Sequence, residues 1–482
     1  MPIPAEILAV ERPKGTIVKK SGNKYYVIKR TSRYDNGRRI PVDLGIVGEI
    51  YDGKYVERVK RLDGIQVDVK DYGNVMFAHQ EGKDILTDLI KHFSVIDAHK
   101  IYTYSLLKVV YGDIPSRDMQ MYYDTSFVSE LFPNVGCSRK TVSDYLDILG
   151  RNINSIHRYM QSRMAAVGAD IHVIVDGMLK NNNSETNTFS EFSRKGKVKN
   201  SEDISLLYAF DYQKKEPLAC SVYPGNMLDK TAFQDFTKKF NIQKGVIIGD
   251  KGFELDDEQR KKIAENSDLK YLIPIKRNRN LIRDLNLQDY DDMVTLADEC
   301  VLCRKTKISD NLYYYAFLDV YLQGSEGKGY MVRARSKMKK KDTIAELLDK
   351  YMDRKDSFGT IIFESNMDTS CDEVYQMYTY RWTIEEVFNY YKNILDIDNV
   401  RVQQDTRLYG SEFINFVASV IVCRIRNQID FLGLSKKYSY KQIMKYLSKV
   451  KKCRSISAPK EWHSTTTLAY IQNLVKTLGL NV

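Results

Sequence analysis

Little in this chain supports chemistry built on cysteine or histidine. Seven cysteines are scattered over 482 residues, at positions 137, 220, 300, 303, 371, 423 and 453. An odd, dispersed set argues against a disulfide framework and for a reducing compartment. Cys300 and Cys303 form one C-x-x-C pair, but a structural zinc site normally needs a second pair or two histidines at fixed spacing, and neither lies nearby. The pair therefore reads as strand or core cysteines. The six histidines (His79, His92, His99, His157, His172 and His463) include no ligand pair at helical spacing, which disfavours a histidine-based metal or triad enzyme. No apolar run of membrane-spanning length stands out, and the opening MPIPAEILAVERPKG is too polar for a signal peptide, so a cytoplasmic location is expected. A Gly-rich phosphate loop of the P-loop type is also missing, and an ATP-driven process is not indicated.

What is present is positive charge. Lys and Arg number 74 against 63 Asp and Glu, for a net charge of +11 and a pI near 9.0, which favours nucleic acid or a membrane surface as partner. A hydrophobic share of 43% and a charged share of 28% are ordinary for a soluble globular protein, and the length allows roughly two to four domains. Residues 15–55 suggest short β-hairpins, with turns at Ser21-Gly22-Asn23 and Asp35-Asn36-Gly37. Eight cations interleaved with tyrosines suit a nucleic-acid backbone, or they are ordinary edge-strand charges. From Ile85 to Ala166 apolar residues recur at helical spacing. There, PNVGCSRKTVSDYLDILG places Ser138 as an N-cap ahead of Val142, Tyr145, Leu146 and Leu149 on one face. With Arg139 and Lys140 in its first turn, that segment suits the second helix of a helix-turn-helix, although any αα-corner looks alike.

A composition shift follows. ADIHVIVDG (Ala169 to Gly177) reads as a buried strand ending in Asp176, and KGVIIGDKGF (Lys244 to Phe253) as a second ending in Asp250. SLLYAFD with PLACSVYPGN reads as a hairpin between them. LYYYAFLDVYL and GYMVRARS, between Leu312 and Ser336, look strand-rich, and the tail KKYSYKQIMKYLSKVKKCR looks like one basic helix. The segment VYQMYTYRWTIEEVFNYYKNIL, from Val374, has helical length and no Gly or Pro. At about 100° per residue, Tyr378, Arg381, Glu385 and Lys392 fall within roughly 60° of arc beside an apolar stripe. A carboxylate held among cations suits metal ligation, and the cations suit a phosphodiester; an amphipathic helix with i,i+4 charge pairs would look the same. If Asp176, Asp250 and Glu385 converge, their mutual repulsion calls for divalent cations. Paired Mg²⁺ ions would suit in-line displacement at phosphorus.

These residues resemble a DDE-type transposase of bacterial insertion sequences, in the branch with a Tyr-Arg-Glu-Lys signature. Tyr378, Arg381, Glu385 and Lys392 reproduce that signature within Arg381-Trp382-Thr383-Ile384-Glu385. Asp176 matches the first aspartate and Asp250, in Gly249-Asp250-Lys251-Gly252-Phe253, the second. Pro224-Gly225-Asn226 followed by Asp229 is also similar. The likeness covers about 169–427; Gly177-Met178 departs from the small hydroxyl residue often found two places after the first aspartate.

The resemblance implies an α/β, ribonuclease H-like mixed sheet flanked by helices over 167–430, with a β-rich insertion at about 278–358. Around it would lie a basic β-hairpin module over 1–70, a helical, DNA-binding region over 71–166 and a basic helical region over 431–482. It implies that Asp176, Asp250 and Glu385 hold two Mg²⁺ ions (Mn²⁺ may substitute). Tyr378, Arg381 and Lys392 would grip double-stranded DNA, and a homodimer would join two transposon ends near the nucleoid. In some members an insertion tryptophan stacks on a flipped base; the only tryptophans here are Trp382 and Trp462, which leaves Tyr313 or Tyr314 as candidates. Arg194, Lys195 and Lys197 form a basic loop that would touch DNA or stay solvated. The expected activity is cleavage at terminal inverted repeats and joining of the 3′-hydroxyl ends to target DNA. A metal-dependent nuclease without strand transfer, or a DNA-binding regulator with an inactive core, are the alternatives.

Overall fold

The computed structural model describes all residues except 1, 36, 58–66, 113, 169–171, 183, 185, 193–201, 228, 250–252, 254, 256, 266–267, 278–279, 296–299, 339–342, 396–398, 456–457 and 482; of the side chains at 35, 229, 257, 262, 264, 381–391 and 458–460 only the backbone is described. The chain divides into two compact units, residues 1–68 with 454–462, and 69–453 with 463–482.

In the first unit, four strands (Thr16–Ser21, Lys24–Asp35, Arg38–Tyr51 and Lys54–Glu57) pair antiparallel in chain order. Gly22 and Gly53 take positive φ at the tight turns, where a side chain would be strained. Val18, Val27 and Ile50 form a small core on one face. On the solvent side Asp43 accepts from Lys19 at 2.7 Å and from Arg30 at 2.6 Å, so part of the basic character is neutralised within the sheet.

The second unit is built on a mixed sheet. Its central strand, His172–Asn181, pairs antiparallel with Glu202–Asp211, which pairs with Glu216–Pro224. On its other edge it pairs parallel with Gly245–Ile248, itself parallel to Leu269–Pro274. The sheet then continues antiparallel through Thr360–Ser365, Leu312–Asp319 and Val301–Ser309. The helix Asp405–Phe431 packs against it. By length and composition this helix could span a membrane, contrary to the expectation that no such run exists, yet 83% of its most apolar window is buried inside the protein. Glu412, Arg424 and Arg426 interrupt its apolar sequence; Glu412 is buried, and buried charges need partners.

The helices Gly73–Ile90, Val95–Tyr111 and Arg139–Arg151 pack on that same helix and share its core. The region expected as a separate helical module over 71–166 is therefore part of the larger unit. Two glycines set the closest approach. A Cβ on Gly150 would lie 1.7 Å from the Thr406 carbonyl oxygen, and one on Gly410 would lie 2.2 Å from that of Leu146.

Two further expectations are corrected. The span 278–358, expected to be β-rich, holds more helix than strand among its described residues, and its strands extend the central sheet. GYMVRARS is helical, within Val320–Lys337, because Asp319 caps the helix by accepting from the Leu322 amide. Gly327 then lets the Tyr351 ring approach from helix Ile344–Lys355, and Tyr330, Tyr351 and Phe358 cluster with ring centroids 5.6–6.3 Å apart. Packing outweighs the local β preference. In the tail, helix Tyr440–Leu447 gives way to a strand, Lys451–Ser455, so residues 431–482 are not helical throughout.

Candidate functional site

The run Val173-Ile174-Val175 is buried on both sheet faces, and Asp176 follows at 9% exposure. The strand does not end there; it continues to Asn181, with Asp176 opposite Tyr208 on the antiparallel side. On the parallel side the last pair of the ladder is Ile174 with Ile248. Asp176 thus stands two residues past the end of its parallel neighbour's strand, at the carboxyl edge where open α/β sheets form their ligand crevices. Its Oδ1 accepts the Gly177 amide at 2.8 Å. The strands leading to Asp176 and Asp250 are adjacent, as convergence requires; Asp250 itself lies outside the described residues.

Cys371–Leu395 is one uninterrupted helix. It touches both parallel strands and the long helix Asp405–Phe431. Tyr380 stacks on Tyr212 with centroids 3.7 Å apart and meets His172 at 5.3 Å, at the start of the strand that carries Asp176. Beyond the helix, Val400 donates its amide to the Asn181 carbonyl at 2.8 Å, at that strand's end. Helix and strand therefore run in the same direction. Burial holds the His172 imidazole below its ordinary pKa, which keeps it neutral against the two tyrosine rings.

Of the expected DNA contacts, Tyr378 is half-buried, its ring 5.2 Å from that of Phe363, and Lys392 is half-buried in the last turn. The side chains of Arg381 and Glu385 are not among those described, and Arg194, Lys195 and Lys197 lie outside the described residues. Ser138 caps its helix as expected, accepting from the Thr141 amide, and leaves Arg139 and Lys140 exposed. The helix before it, Val128–Leu131, is a single turn stopped ahead of Pro133, so the pair expected for a helix-turn-helix lacks a full first helix. Tyr313 and Tyr314 are 2% and 5% exposed within the sheet and are not available to stack on a base. Cys303 is a buried strand residue, and all seven cysteines are free.

Among the described residues no three His, Cys, Asp or Glu side chains form a metal-binding group; two of the three candidate carboxylates fall outside that set. A pair that sequence reasoning missed lies on the same strand face as Asp176. Lys180 Nζ donates to Glu412 Oε1 at 2.7 Å, with the side chains 2% and 3% exposed. The signal was available: a carboxylate immediately ahead of FINFVASVIV, once buried, needs a cation.

A family model described as "Transposase DDE domain" matches residues 168–418, a little over half of the chain. No curated protein matches. Among solved structures, the chain is similar to the cryo-EM structure of the piggyBac transposase synaptic complex with hairpin DNA. The identity is 13% and the TM-score 0.41, over 86% of this chain and 88% of that one.

Proposed function

The chain belongs to the transposase DDE-domain family, and on that premise we propose that it binds the terminal inverted repeats of a mobile element, cleaves at their ends and joins the freed 3′-hydroxyls to target DNA. Asp176, Asp250 and Glu385 are the proposed carboxylates. The observation that carries this is the shared direction of the strand and helix, anchored by Tyr380 at His172 and by Val400 at Asn181. Four strand residues separate His172 from Asp176, about 13 Å. Five helical residues separate Tyr380 from Glu385, about 7.5 Å. The remaining offset along the sheet is about 6 Å.

The strand order supports a ribonuclease H-like core, because an antiparallel meander with parallel strands beside its first member puts two strand ends at one crevice. The donor set fits Mg²⁺: carboxylate oxygens, with Asp176 shielded but open at the crevice edge. Such ions, when bound, would supply the Lewis acidity for in-line displacement at phosphorus. The chain's own contribution is to hold the carboxylates rigidly on strand and helix. Tyr378, Arg381 and Lys392 keep the phosphodiester in line, and a homodimer holds two ends together.

The test uses a duplex from the flanks of this protein's own gene, a supercoiled plasmid and Mg²⁺. Strand-joined products are expected; nicks without joined products would replace the transposase by a metal-dependent nuclease. Glu385→Gln should abolish cleavage by roughly 10³-fold or more with end binding unchanged, and full activity in that variant would remove the glutamate from the site.

A further inference from the structure

The helix Cys371–Leu395, on which position 385 lies, meets aromatic rings on both flanks. On one, Tyr375 meets Phe317 with centroids 5.4 Å apart, and Tyr378 meets Phe363 at 5.2 Å. Those partners belong to the antiparallel pair of strands Leu312–Asp319 and Thr360–Ser365. On the other flank, Tyr380 stacks on Tyr212 with centroids 3.7 Å apart and planes inclined by 18°. His172 completes the group, 5.3 Å from Tyr380 and edge-on to Tyr212 at 6.2 Å. Tyr212 is itself fixed: its amide donates to the His172 carbonyl at 3.0 Å, and the His172 amide donates to Gln213 Oε1 at 3.2 Å. The stack therefore ties the helix to the first residue of the strand that carries Asp176. Tyr378 and Tyr380 stand about 200° apart around the helix axis, so contacts at both fix its rotation as well as its height. Position 385 comes seven residues after Tyr378, about 20° short of two full turns, and so shares its face. A 20° turn of the helix would move a side-chain tip, about 5–6 Å from the axis, by about 2 Å. Ligand constellations must be held to about 0.5 Å.

We infer that Tyr380 and Tyr212, backed by His172, are positioning residues for the proposed carboxylates: their stack sets the rotation of the helix and so the placing of Glu385 against Asp176. Tyr380 is five residues from Glu385 along the helix, and His172 four from Asp176 along the strand. The rings act through the backbone between them. The inference rests on the carboxylate set named under the proposed function. A ring cluster that only added apolar burial would stabilise the fold without bearing on how tightly the carboxylates hold a divalent ion, and that difference is measurable. All three residues are half-buried, unlike the enclosed Tyr102, Tyr104 and Tyr208, so removing one ring leaves the core intact.

The test is Mn²⁺ binding by the full-length protein, read from the electron paramagnetic resonance of the free ion, so that no catalysis is needed. Tyr380→Ala and Tyr212→Ala approach the stack from its two sides, and each should weaken Mn²⁺ binding roughly tenfold or more. The double variant should lose little beyond either single one, because both changes break the same contact. Tyr380→Phe keeps a ring to stack and should bind like wild type. Melting temperatures verify folding; should Tyr380→Ala fail to fold, Tyr212→Ala, in the hairpin turn outside the helix, carries the test. Unchanged Mn²⁺ affinity in the alanine variants overturns the inference, even where their melting temperature falls. So does a Tyr380→Phe variant as weak as Tyr380→Ala, which would assign the effect to the hydroxyl. Asp176→Asn separates this result from the proposed function. Binding lost in Asp176→Asn but kept in the alanine variants removes the stack's role and leaves the carboxylates in place. A wild type that binds no Mn²⁺, or binding that survives Asp176→Asn, removes the carboxylate assignment, and the inference falls with it.

Discussion

Replacing Lys180 by methionine strands a carboxylate in the core. In the wild type, Glu412 Oε1 accepts from the Lys180 ammonium at 2.7 Å and from the Asn415 amide at 3.2 Å, with both charged side chains almost fully enclosed. Lys180→Met keeps most of the side chain's length and removes its charge, leaving Glu412 with the neutral Asn415 amide as donor. Breaking one partner of a buried pair costs about 3–5 kcal/mol, whereas replacing both by apolar groups of similar volume is about neutral. Lys180→Met should therefore be severe, and Lys180→Met/Glu412→Leu should recover most of the loss. At about 2 °C per kcal/mol for a large domain, the single variant should melt roughly 6–10 °C below wild type. Differential scanning fluorimetry on the four proteins of the cycle measures this. A single variant melting with wild type would mean that the pair is solvated and carries no stability. A double variant as damaged as the single would assign the loss to shape, not to charge.

Gly150→Ala should lower the melting temperature as well, because the new methyl would sit 1.7 Å from a backbone oxygen and neither helix can yield without moving the other. Overpacking of this kind costs about 1–3 kcal/mol; a variant as stable as wild type would show that the two helices part easily. Stability should also fall with acid. Burial depresses the folded-state pKa of His172, His79 and His157, so the unfolded chain binds more protons once pH drops below the ordinary histidine value of about 6.5. The stabilisation is present above that value and is lost as pH falls through the folded-state pKa. Melting at about pH 5.5 should lie below that at about pH 7.5, with a smaller gap in His172→Gln; an unchanged gap would place the sensitivity elsewhere.

The strand carrying Asp176 was legible because three β-branched residues in succession rarely belong anywhere but a buried sheet. Its continuation to Asn181 was not. Gly177, Lys180 and Asn181 look like loop residues until Glu412, 232 positions away, supplies the charge that lets Lys180 be buried. Helix Cys371–Leu395 was legible from its length and lack of breakers, and so was its adjacency to the two strands, as a condition the carboxylates impose. The helical turn of GYMVRARS was hidden because its cause is a capping aspartate and a glycine facing Tyr351, neither of which leaves a periodic signal. The fate of the region 71–166 was hidden for a similar reason. Its apolar faces revealed helices, but only Gly150 and Gly410 together reveal that they close against the core of the larger unit.

The most direct measurement is a crystal of the protein with end DNA soaked in Mn²⁺, read by anomalous scattering. Two manganese peaks held by Asp176, Asp250 and Glu385 are the predicted result. Manganese bound elsewhere, or Asp176 facing a site with no metal while the DNA is in place, would contradict it.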